Sequence, residues 1–131
     1  REEELREEKD FQLSKCFSML RPNVIRKKSD FDNIYKKGNS VGDRYIVLFW
    51  RKNHLAYNRT AFLASKKVGN SVRRNRARRL MKEGYRYLCD GLDSGYDFIF
   101  IARNTINDKK EDDVKRSISS ALRKAKIKKN V

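Results

Sequence analysis

Residue types that support catalysis or metal binding are scarce in this chain of 131 residues. There is one histidine, His54, and the two cysteines, Cys16 and Cys89, lack the spacing of metal ligands. The sequence therefore excludes a structural zinc site and argues against a disulfide framework. His54 lies in a polar stretch, where a lone histidine has no partner that would make it a base or a ligand. We predict a surface position for it.

Long apolar runs are also missing. No uninterrupted apolar stretch approaches the ~20 residues that a membrane-spanning helix needs. The first residues are charged, unlike the apolar segment of a signal peptide. Membrane binding is therefore the weaker alternative, and the expected location is a reducing, cytoplasmic compartment.

Acidic residues are strongly outnumbered. Asp and Glu total 17 against 33 Lys and Arg, which gives a net charge of +16. An imbalance this large in one small domain predicts a polyanionic partner. Residues 1–18 are acidic overall and differ in composition from everything that follows. We interpret residues 1–18 as an extension outside the core and residues 19–131 as the functional domain.

The acidic residues form no catalytic pattern. Metal-dependent cleavage of a phosphodiester needs two or three carboxylates that converge on Mg²⁺, and general acid–base cleavage usually needs histidines. The candidate carboxylates form no paired motif; they are Asp43, Asp90, Asp93 and Asp97. The sequence also has no glycine-rich nucleotide-binding loop. We predict no catalytic residue and no metal site, which favours a binding protein over a freestanding nuclease.

Residues 65–82 are the most distinctive part of the chain. Two lysines precede a glycine turn, Asn70 or Ser71 supplies an N-cap oxygen, and a basic helix follows. The apolar stripe of this helix consists of Ala77, Leu80, Met81, Gly84 and Leu88. Four cations at a spacing of four are expected on the other side: Arg74, Arg78, Lys82 and Arg86. Like charges at this spacing cost roughly 0.2–0.5 kcal/mol per pair on an exposed helix.

The start of this helix is predicted to bind phosphate. Lys66, Lys67, Arg73 and Arg74 crowd it, although the helix dipole already places partial positive charge there. Several phosphates in a line indicate a nucleic-acid backbone. A solvated charged face is the alternative, but such faces normally mix both signs. Aromatic residues on a neighbouring sheet favour single-stranded RNA over DNA, because unstacked bases lie on rings.

Two further helices are predicted from cap signals. The first is capped by Ser29 or Asp30 and ends at Gly38. The second is capped by Asn107 or Asp108 near the end of the chain. Three acidic residues in the first turn of this last helix and cations in its last turns complement its dipole. This last helix therefore follows the local rules for charge placement. The basic helix breaks them, because it has cations at its start and like charges at a spacing of four. Violations of local rules tend to mark functional sites.

Three strands are predicted from β-rich runs, over residues 44–50, 60–65 and 96–102. The first two are expected to form an antiparallel hairpin with a loop of about ten residues between them. The second and third flank the basic helix, which makes a strand–helix–strand crossover unit. In the first helix, Phe31 and Tyr35 are four residues apart and share a face. For such a pair, burial of both rings in the core is the commoner outcome.

Residues 65–80, SKKVGNSVRRNRARRL, resemble the signature of the bacterial ribonuclease P protein subunit. The hallmark of that family is Arg-Asn-Arg at the start of a basic helix, which is Arg74-Asn75-Arg76 here. The likeness covers roughly residues 24–127. It includes Asp30, Phe31, Tyr35, Gly38, Ser40, Val41, Arg44 and residues 99–103, IFIAR.

The resemblance implies a two-layer α/β (α+β) sandwich of order αβββαβα. The implied sheet is mixed and four-stranded, and the crossover is left-handed rather than right-handed as is usual. The implied activity is removal of the 5′ leader from precursor tRNA by a holoenzyme whose catalytic part is an RNA. The partners would be ribonuclease P RNA and precursor tRNA, with Mg²⁺ in the holoenzyme, no cofactor on the protein and no obligatory protein partner. An rRNA-binding or ribosome-associated protein without a role in cleavage is the alternative.

The resemblance also assigns two sets of site residues. The set that would contact the catalytic RNA is Lys66, Lys67, Arg73, Arg74, Asn75, Arg76, Arg78, Arg79 and Lys82. The set that would line a cleft for the single-stranded leader is Phe31, Tyr35, Phe49 and Ser65. The resemblance therefore implies that the face shared by Phe31 and Tyr35 is partly exposed in the cleft. This replaces the expectation that both rings are buried in the core.

Overall fold

Three helices and a four-stranded sheet follow one another in the order αβββαβα, as the resemblance implies. The computed structural model describes residues 23–127, and the extension predicted over residues 1–18 lies outside them. The helices are α1 (Lys28–Lys37), α2 (Ser71–Leu88) and α3 (Glu111–Lys124). The strands are β1 (Asn39–Gly42), β2 (Ile46–Lys52), β3 (Arg59–Leu63) and β4 (Tyr96–Ala102).

The strands lie in the order β1-β2-β4-β3, and β3 runs parallel to β4 while the other pairs are antiparallel. The predicted hairpin of residues 44–50 with residues 60–65 is therefore wrong, because β4 lies between β2 and β3. Most residues of β4 are buried, and a strand with both faces covered belongs inside the sheet rather than at its edge. The parallel pair β3 and β4 is joined by α2, so the predicted crossover unit is confirmed.

The two faces of the sheet bury different cores. Side chains alternate along β2, so Ile46 and Leu48 belong to one core and Phe49 packs against the other. The larger core lies between the sheet and the pair α2 and α3, and its largest fully buried side chains include Tyr85, Phe98 and Phe100. The smaller core lies under α1 and consists of Ile25, Ile34, Ala61 and Ile99.

The caps of α1 and α2 differ in kind. Asn70 caps α2 as predicted, since its Oδ1 accepts a hydrogen bond from the Arg73 N–H at 3.1 Å. The cap predicted for α1 is wrong, because Ser29 and Asp30 lie inside the helix and its N-cap is Lys27, without a side-chain hydrogen bond. Tertiary contacts of the helix replace the missing cap, as is common for short helices whose stability comes from packing.

The cap predicted for α3 is also wrong. The N-cap is Lys110, whose N–H donates to Asp113 Oδ2 at 3.1 Å. Asn107 instead donates its side-chain amide to the Val68 carbonyl at 2.7 Å, and Asp108 adopts a left-handed backbone with φ of 65°. A contact with the loop before α2 therefore outcompetes the local capping role of Asn107.

Cys89, at the end of α2, is buried and disulfide-bonded. This bond differs from the prediction, because the sequence argued against disulfides and indicated a reducing compartment. The other cysteine, Cys16, lies outside the described residues. The cytoplasmic location stays a prediction. Among the helices of residues 23–127, none has the length and apolar character that crossing a bilayer requires.

Asp43 anchors the turn between β1 and β2 on α3. Its carboxylate accepts hydrogen bonds from the Arg44 N–H at 2.8 Å, Ser117 Oγ at 2.8 Å and Lys124 Nζ at 3.0 Å. Burial by itself would raise the pKa of Asp43, but hydrogen bonds from Arg44, Lys124, Ser117 and Ser120 outweigh it and lower the pKa to about 2. The ionised form is thus favoured by folding.

Acid is therefore expected to weaken this anchor. Because the folded pKa of Asp43 lies below the ordinary value of 3.8, its contribution is fully present above that value and is lost as the pH falls toward 2. At pH 7, Asp43→Asn should lower the free energy of unfolding by roughly 1–2 kcal/mol, and this difference should shrink between about pH 4 and pH 2. Denaturant titrations across this range measure it, with Asp32→Asn on exposed α1 surface as a charge control. A difference that does not change with pH would contradict the assignment.

Candidate nucleic-acid interface

A tight loop after β3 presents two exposed lysines at the start of α2. The Val68 N–H donates to the Ser65 carbonyl at 3.0 Å, and the Lys67 N–H donates to Ser65 Oγ at 3.3 Å. Gly69 has a φ of 142°, and a Cβ built on it would lie 2.7 Å from Arg73 Cδ. The turn thus needs glycine, both for its backbone conformation and for the close approach of Arg73.

The cations of α2 are not equally exposed. Arg73 and Arg79 are exposed, as is Asn75 among the predicted RNA contacts on the helix. The four cations expected on the side opposite the apolar stripe are half-buried and border the buried face: Arg74, Arg78, Lys82 and Arg86. Their predicted placement needs this correction, because α2 packs against both the sheet and α3, and its buried face is wider than a single stripe.

Hydrogen bonds orient three members of the Arg-Asn-Arg region along the helix. Arg74 Nη2 donates to Ser71 Oγ at 3.3 Å, and Arg78 Nη1 donates to Asn75 Oδ1 at 2.7 Å. The buried Nε of Arg74 has no hydrogen-bond partner in the described part of the chain. These contacts stay within one helical turn, so the side chains are aligned but retain donors for a further acceptor.

Arg76 differs from its neighbours because it turns toward the protein. Its Nη2 donates to the carbonyl of Lys109, in the segment that leads into α3. Together with the Asn107 contact to Val68, this bond ties that segment to the start of α2. Arg76, predicted to contact RNA, is therefore at least in part a support for the interface.

The predicted RNA-binding cations lack acidic partners. Within residues 23–127, none of Lys66, Lys67, Arg73, Arg74, Arg76, Arg78, Arg79 and Lys82 forms an ion pair. The first turn of α2 contains no acidic residue, so nothing there offsets the positive end of the helix dipole. Arg86, near the far end, pairs with Glu83 at 3.8 Å. The start of α2 is therefore a concentrated, uncompensated positive surface.

Three aromatic rings meet where α1 crosses the sheet. Phe31 and Tyr35 are stacked with centroids 6.4 Å apart, and Tyr35 meets Phe49 of β2 edge-on at 5.0 Å. Phe31 and Phe49 are half-buried, whereas Tyr35 is 41% exposed. Partial burial raises the pKa of Tyr35, so its hydroxyl stays protonated. The structure brings these predicted cleft residues together and leaves part of their surface open.

The floor beside these rings is an apolar row that the sequence analysis did not single out. Leu63 pairs with Ile101, and Ile101 pairs with Val47, so the three side chains cross neighbouring strands on the α1 side of the sheet. All three are half-buried. Because side chains alternate along a strand, these three are expected to face the same side of the sheet as Phe49 and Ile99. Only the pairing register shows that they lie in one row.

The apolar row and the positive surface adjoin each other. Leu63 ends β3, and the exposed Ser65 and Lys66 follow at once and lead into α2. Ser65, predicted as a cleft residue, makes its described contacts only with the loop itself. We define the predicted leader cleft, called the leader cleft below, as the three rings together with this row. Its row ends at Leu63, just before the loop that leads into α2.

The donor set for a metal ion is sparse in the described part of the chain. Within residues 23–127, no group of three or more His, Cys, Asp and Glu side chains has a metal-binding arrangement. His54 is exposed in the loop between β2 and β3, as predicted. The chemistry at this surface is therefore that of cations, rings and hydrogen-bond donors.

Comparisons with known proteins agree with this geometry. The family model described as Ribonuclease P matches residues 19–126. The ribonuclease P protein component of Clostridium botulinum (strain Loch Maree / Type A3) is 44% identical over 109 residues, which cover 82% of this chain and 98% of the relative. That of Clostridioides difficile (strain 630) is 40% identical and covers 82% and 95%.

Solved structures show the same fold. The RNase P protein of Staphylococcus aureus matches with a TM-score of 0.73 and 33% identity, over 80% of this chain and 96% of that one. The RNase P protein of Thermotoga maritima matches with a TM-score of 0.70 and 27% identity, over 77% and 96%. The family model and these relatives cover nearly all of the described residues, and the chain therefore belongs to the ribonuclease P protein family.

Proposed function

We propose that this protein assists removal of the 5′ leader from precursor tRNA, while a ribonuclease P RNA carries out the cleavage. The observation that carries the proposal is the adjacency of two surfaces, the uncompensated cations at the start of α2 and the partly open leader cleft. Family membership supports the same assignment. Within residues 23–127, no group of three or more His, Cys, Asp and Glu side chains has the arrangement that a metal-dependent nuclease would need.

The start of α2 would contact the catalytic RNA. Exposed Lys66, Lys67, Arg73 and Arg79 have no acidic partners within residues 23–127, so phosphates would displace no ion pair of this part of the chain. Release of those counterions drives binding to a polyanion and makes it depend steeply on salt. The helix N-terminus adds backbone N–H groups and a favourable dipole.

The cleft would hold the single-stranded leader of the substrate. An open tyrosine ring beside two half-buried phenylalanines suits a base that is unstacked from its neighbours. Bases inside a duplex are already stacked and do not fit such a surface. The cleft would therefore discriminate precursor tRNA, which has a leader, from mature tRNA, which has none.

The protein would promote cleavage by positioning rather than by bond chemistry. Its cations would reduce repulsion between two RNA molecules, and the cleft would hold the leader in line with the scissile phosphate. Mg²⁺ would be bound by RNA, since the described residues supply no ligand set for it. Precursor tRNA, ribonuclease P RNA and this protein would then suffice, in the cytoplasm, without a further protein.

One reconstitution separates this function from its competitors. Precursor tRNA is incubated at low Mg²⁺ with the protein, with a bacterial ribonuclease P RNA, or with both, and release of the leader is followed on a gel. We expect cleavage to appear or rise sharply only in the combination, because the protein then aligns substrate and catalyst. Cleavage by the protein alone would indicate a freestanding nuclease. Binding to RNA without any gain in cleavage would favour the rRNA-binding alternative.

A further inference from the structure

A partly buried charge network lies under the first turn of α1, at the opposite end of β3 from Leu63. Arg59 of β3 holds Asp97 of β4 with both arms, Nε to Oδ1 at 2.8 Å and Nη2 to Oδ2 at 2.6 Å. Its remaining Nη1 reaches Asp30 Oδ2 of α1 at 3.4 Å. Asn53 donates its amide to Asp97 Oδ1 at 2.8 Å. Arg59 thus connects the sheet to the helix that forms one wall of the cleft.

The sheet end of this network is rigid. The side chain of Asp97 is 7% exposed, and a bidentate guanidinium–carboxylate pair has a defined plane and direction. The hydrogen bond to Asp97 is the main cause that raises the pKa of Arg59, so the guanidinium remains charged. Its position is therefore set by β3 and β4, independently of α1.

The contacts at the two ends of α1 show where this helix crosses the sheet. Asp30 lies in the first turn of α1, beside Arg59. Gly38, which follows the last turn, lies so close to Trp50 of β2 that a Cβ on Gly38 would be 2.5 Å from the Trp50 carbonyl oxygen. Trp50 pairs with Phe98, the neighbour of Asp97. The helix therefore crosses the strands near the row of Arg59 and Asp97, and the row of Leu63, Ile101 and Val47 beside it is left half-buried.

Asp30 makes the only ion pair between α1 and the sheet within residues 23–127. The other contacts of the helix with the sheet are apolar, centred on the buried Ile34. Apolar contacts are not directional, and a helix held by them alone can roll or shift. A roll of α1 would move Phe31 and Tyr35 relative to Phe49, which is fixed in β2.

We propose that Arg59 is a positioning residue for leader binding, which sets the distance and rotation of α1 over the sheet through Asp30. This inference rests on the proposed function, since it concerns the cleft that would hold the leader. Arg59 itself is not proposed to contact RNA. The ligand of the cleft remains the single-stranded RNA segment of the proposed function. The charge network around Arg59 determines whether the three aromatic rings have the spacing that this segment needs.

Asp30→Asn tests the proposal in the reconstituted holoenzyme. It removes the charge that α1 offers to Arg59 and leaves the pair of Arg59 with Asp97 intact. The matched control is Asp32→Asn, the same change two residues further on the same helix, at an exposed position. Both variants make the protein more positive by one charge, so any general gain in RNA affinity affects them equally.

The affinities of the holoenzyme for precursor tRNA and for mature tRNA are measured for each variant. We expect Asp30→Asn to weaken binding of precursor tRNA by roughly two- to fivefold, the range of a partly exposed ion pair, and to leave mature tRNA unchanged. Asp32→Asn should match the wild type, and Asp30→Glu, which keeps the charge, should recover most of the loss. Thermal unfolding of each variant shows whether the fold is retained.

Three outcomes would overturn the proposal: equal behaviour of Asp30→Asn and Asp32→Asn, equal losses for precursor and mature tRNA, or no recovery by Asp30→Glu. The preference of the wild-type holoenzyme for precursor tRNA shows whether such an outcome contradicts only the positioning role of Arg59 or also the proposed function. If the wild-type holoenzyme itself does not prefer precursor tRNA, the leader cleft is wrong. If it shows that preference and Asp30→Asn retains it, only the positioning role of Arg59 is wrong.

Discussion

Tyr35→Ala is expected to weaken binding of precursor tRNA to the holoenzyme by about 5- to 150-fold, because stacking of one base on an aromatic ring contributes roughly 1–3 kcal/mol. Tyr35 is the most exposed of the three cleft rings, at 41%, so its removal takes away contact surface while little core packing is lost. Binding of mature tRNA should not change. Equilibrium binding of the two tRNAs to the same holoenzyme measures the effect.

Tyr87→Ala provides a matched control for this prediction. Tyr87 is also an exposed tyrosine, at 53%, but it lies near the end of α2, beneath Lys115 Nζ at 4.9 Å and away from the cleft. Phe31→Ala should share the effect of Tyr35→Ala and also lower stability, because Phe31 packs against the smaller core. If Tyr35→Ala weakened precursor and mature tRNA alike, the cleft assignment would fail.

Arg79→Gln is expected to weaken assembly of the protein with ribonuclease P RNA by about 10- to 150-fold, since a hydrogen bond to a charged group contributes roughly 1.5–3 kcal/mol. Arg79 is exposed on α2 and has no ion pair in the described part of the chain, so its charge is available for a phosphate. Loss of one phosphate contact should also reduce the slope of log K against log salt by about 1. Binding isotherms at several salt concentrations give both quantities.

Arg123→Gln controls for the loss of a positive charge as such. Arg123 is exposed in the last turn of α3, about 20 Å along the helix axis from Lys110, which adjoins the start of α2. Its affinity and salt slope should stay close to those of the wild type. The half-buried Arg74 should resemble Arg79 when replaced by Gln. An unchanged salt slope for Arg79→Gln would count against phosphate contact at this surface.

The basic helix could be predicted in detail because its determinants are local. Asn70 caps it through an N–H three residues away, and the buried residues follow the helical period at Ala77, Met81 and Gly84. The sign of its charge is visible in composition alone. The family signature added the candidate site residues, and the structure then separated Arg76, which supports the neighbouring segment, from the exposed Arg73 and Arg79.

The neighbours of β3 could not be predicted from the same kind of pattern. A strand near another strand in sequence favours a hairpin, yet β4, more than thirty residues later, inserts between β2 and β3. The cap of α3 was missed for a related reason, since the side chain of Asn107 is engaged by the Val68 carbonyl, 39 residues away. In both cases a tertiary contact outweighs a local preference.

By itself, the sequence determined the three helices, the strands β2, β3 and β4, the excess of positive charge and the cap and stripe of α2, whereas β1 was implied only by the family resemblance. These properties depend on residues within a few positions of one another, where hydrogen-bond geometry and helical period act directly. Only the tertiary structure decided the sheet order, the open face of Tyr35 and the connection of Arg59 to Asp97 and Asp30. Arg59 and Asp97 are 38 residues apart, and such pairs meet only when the whole sheet has been assembled.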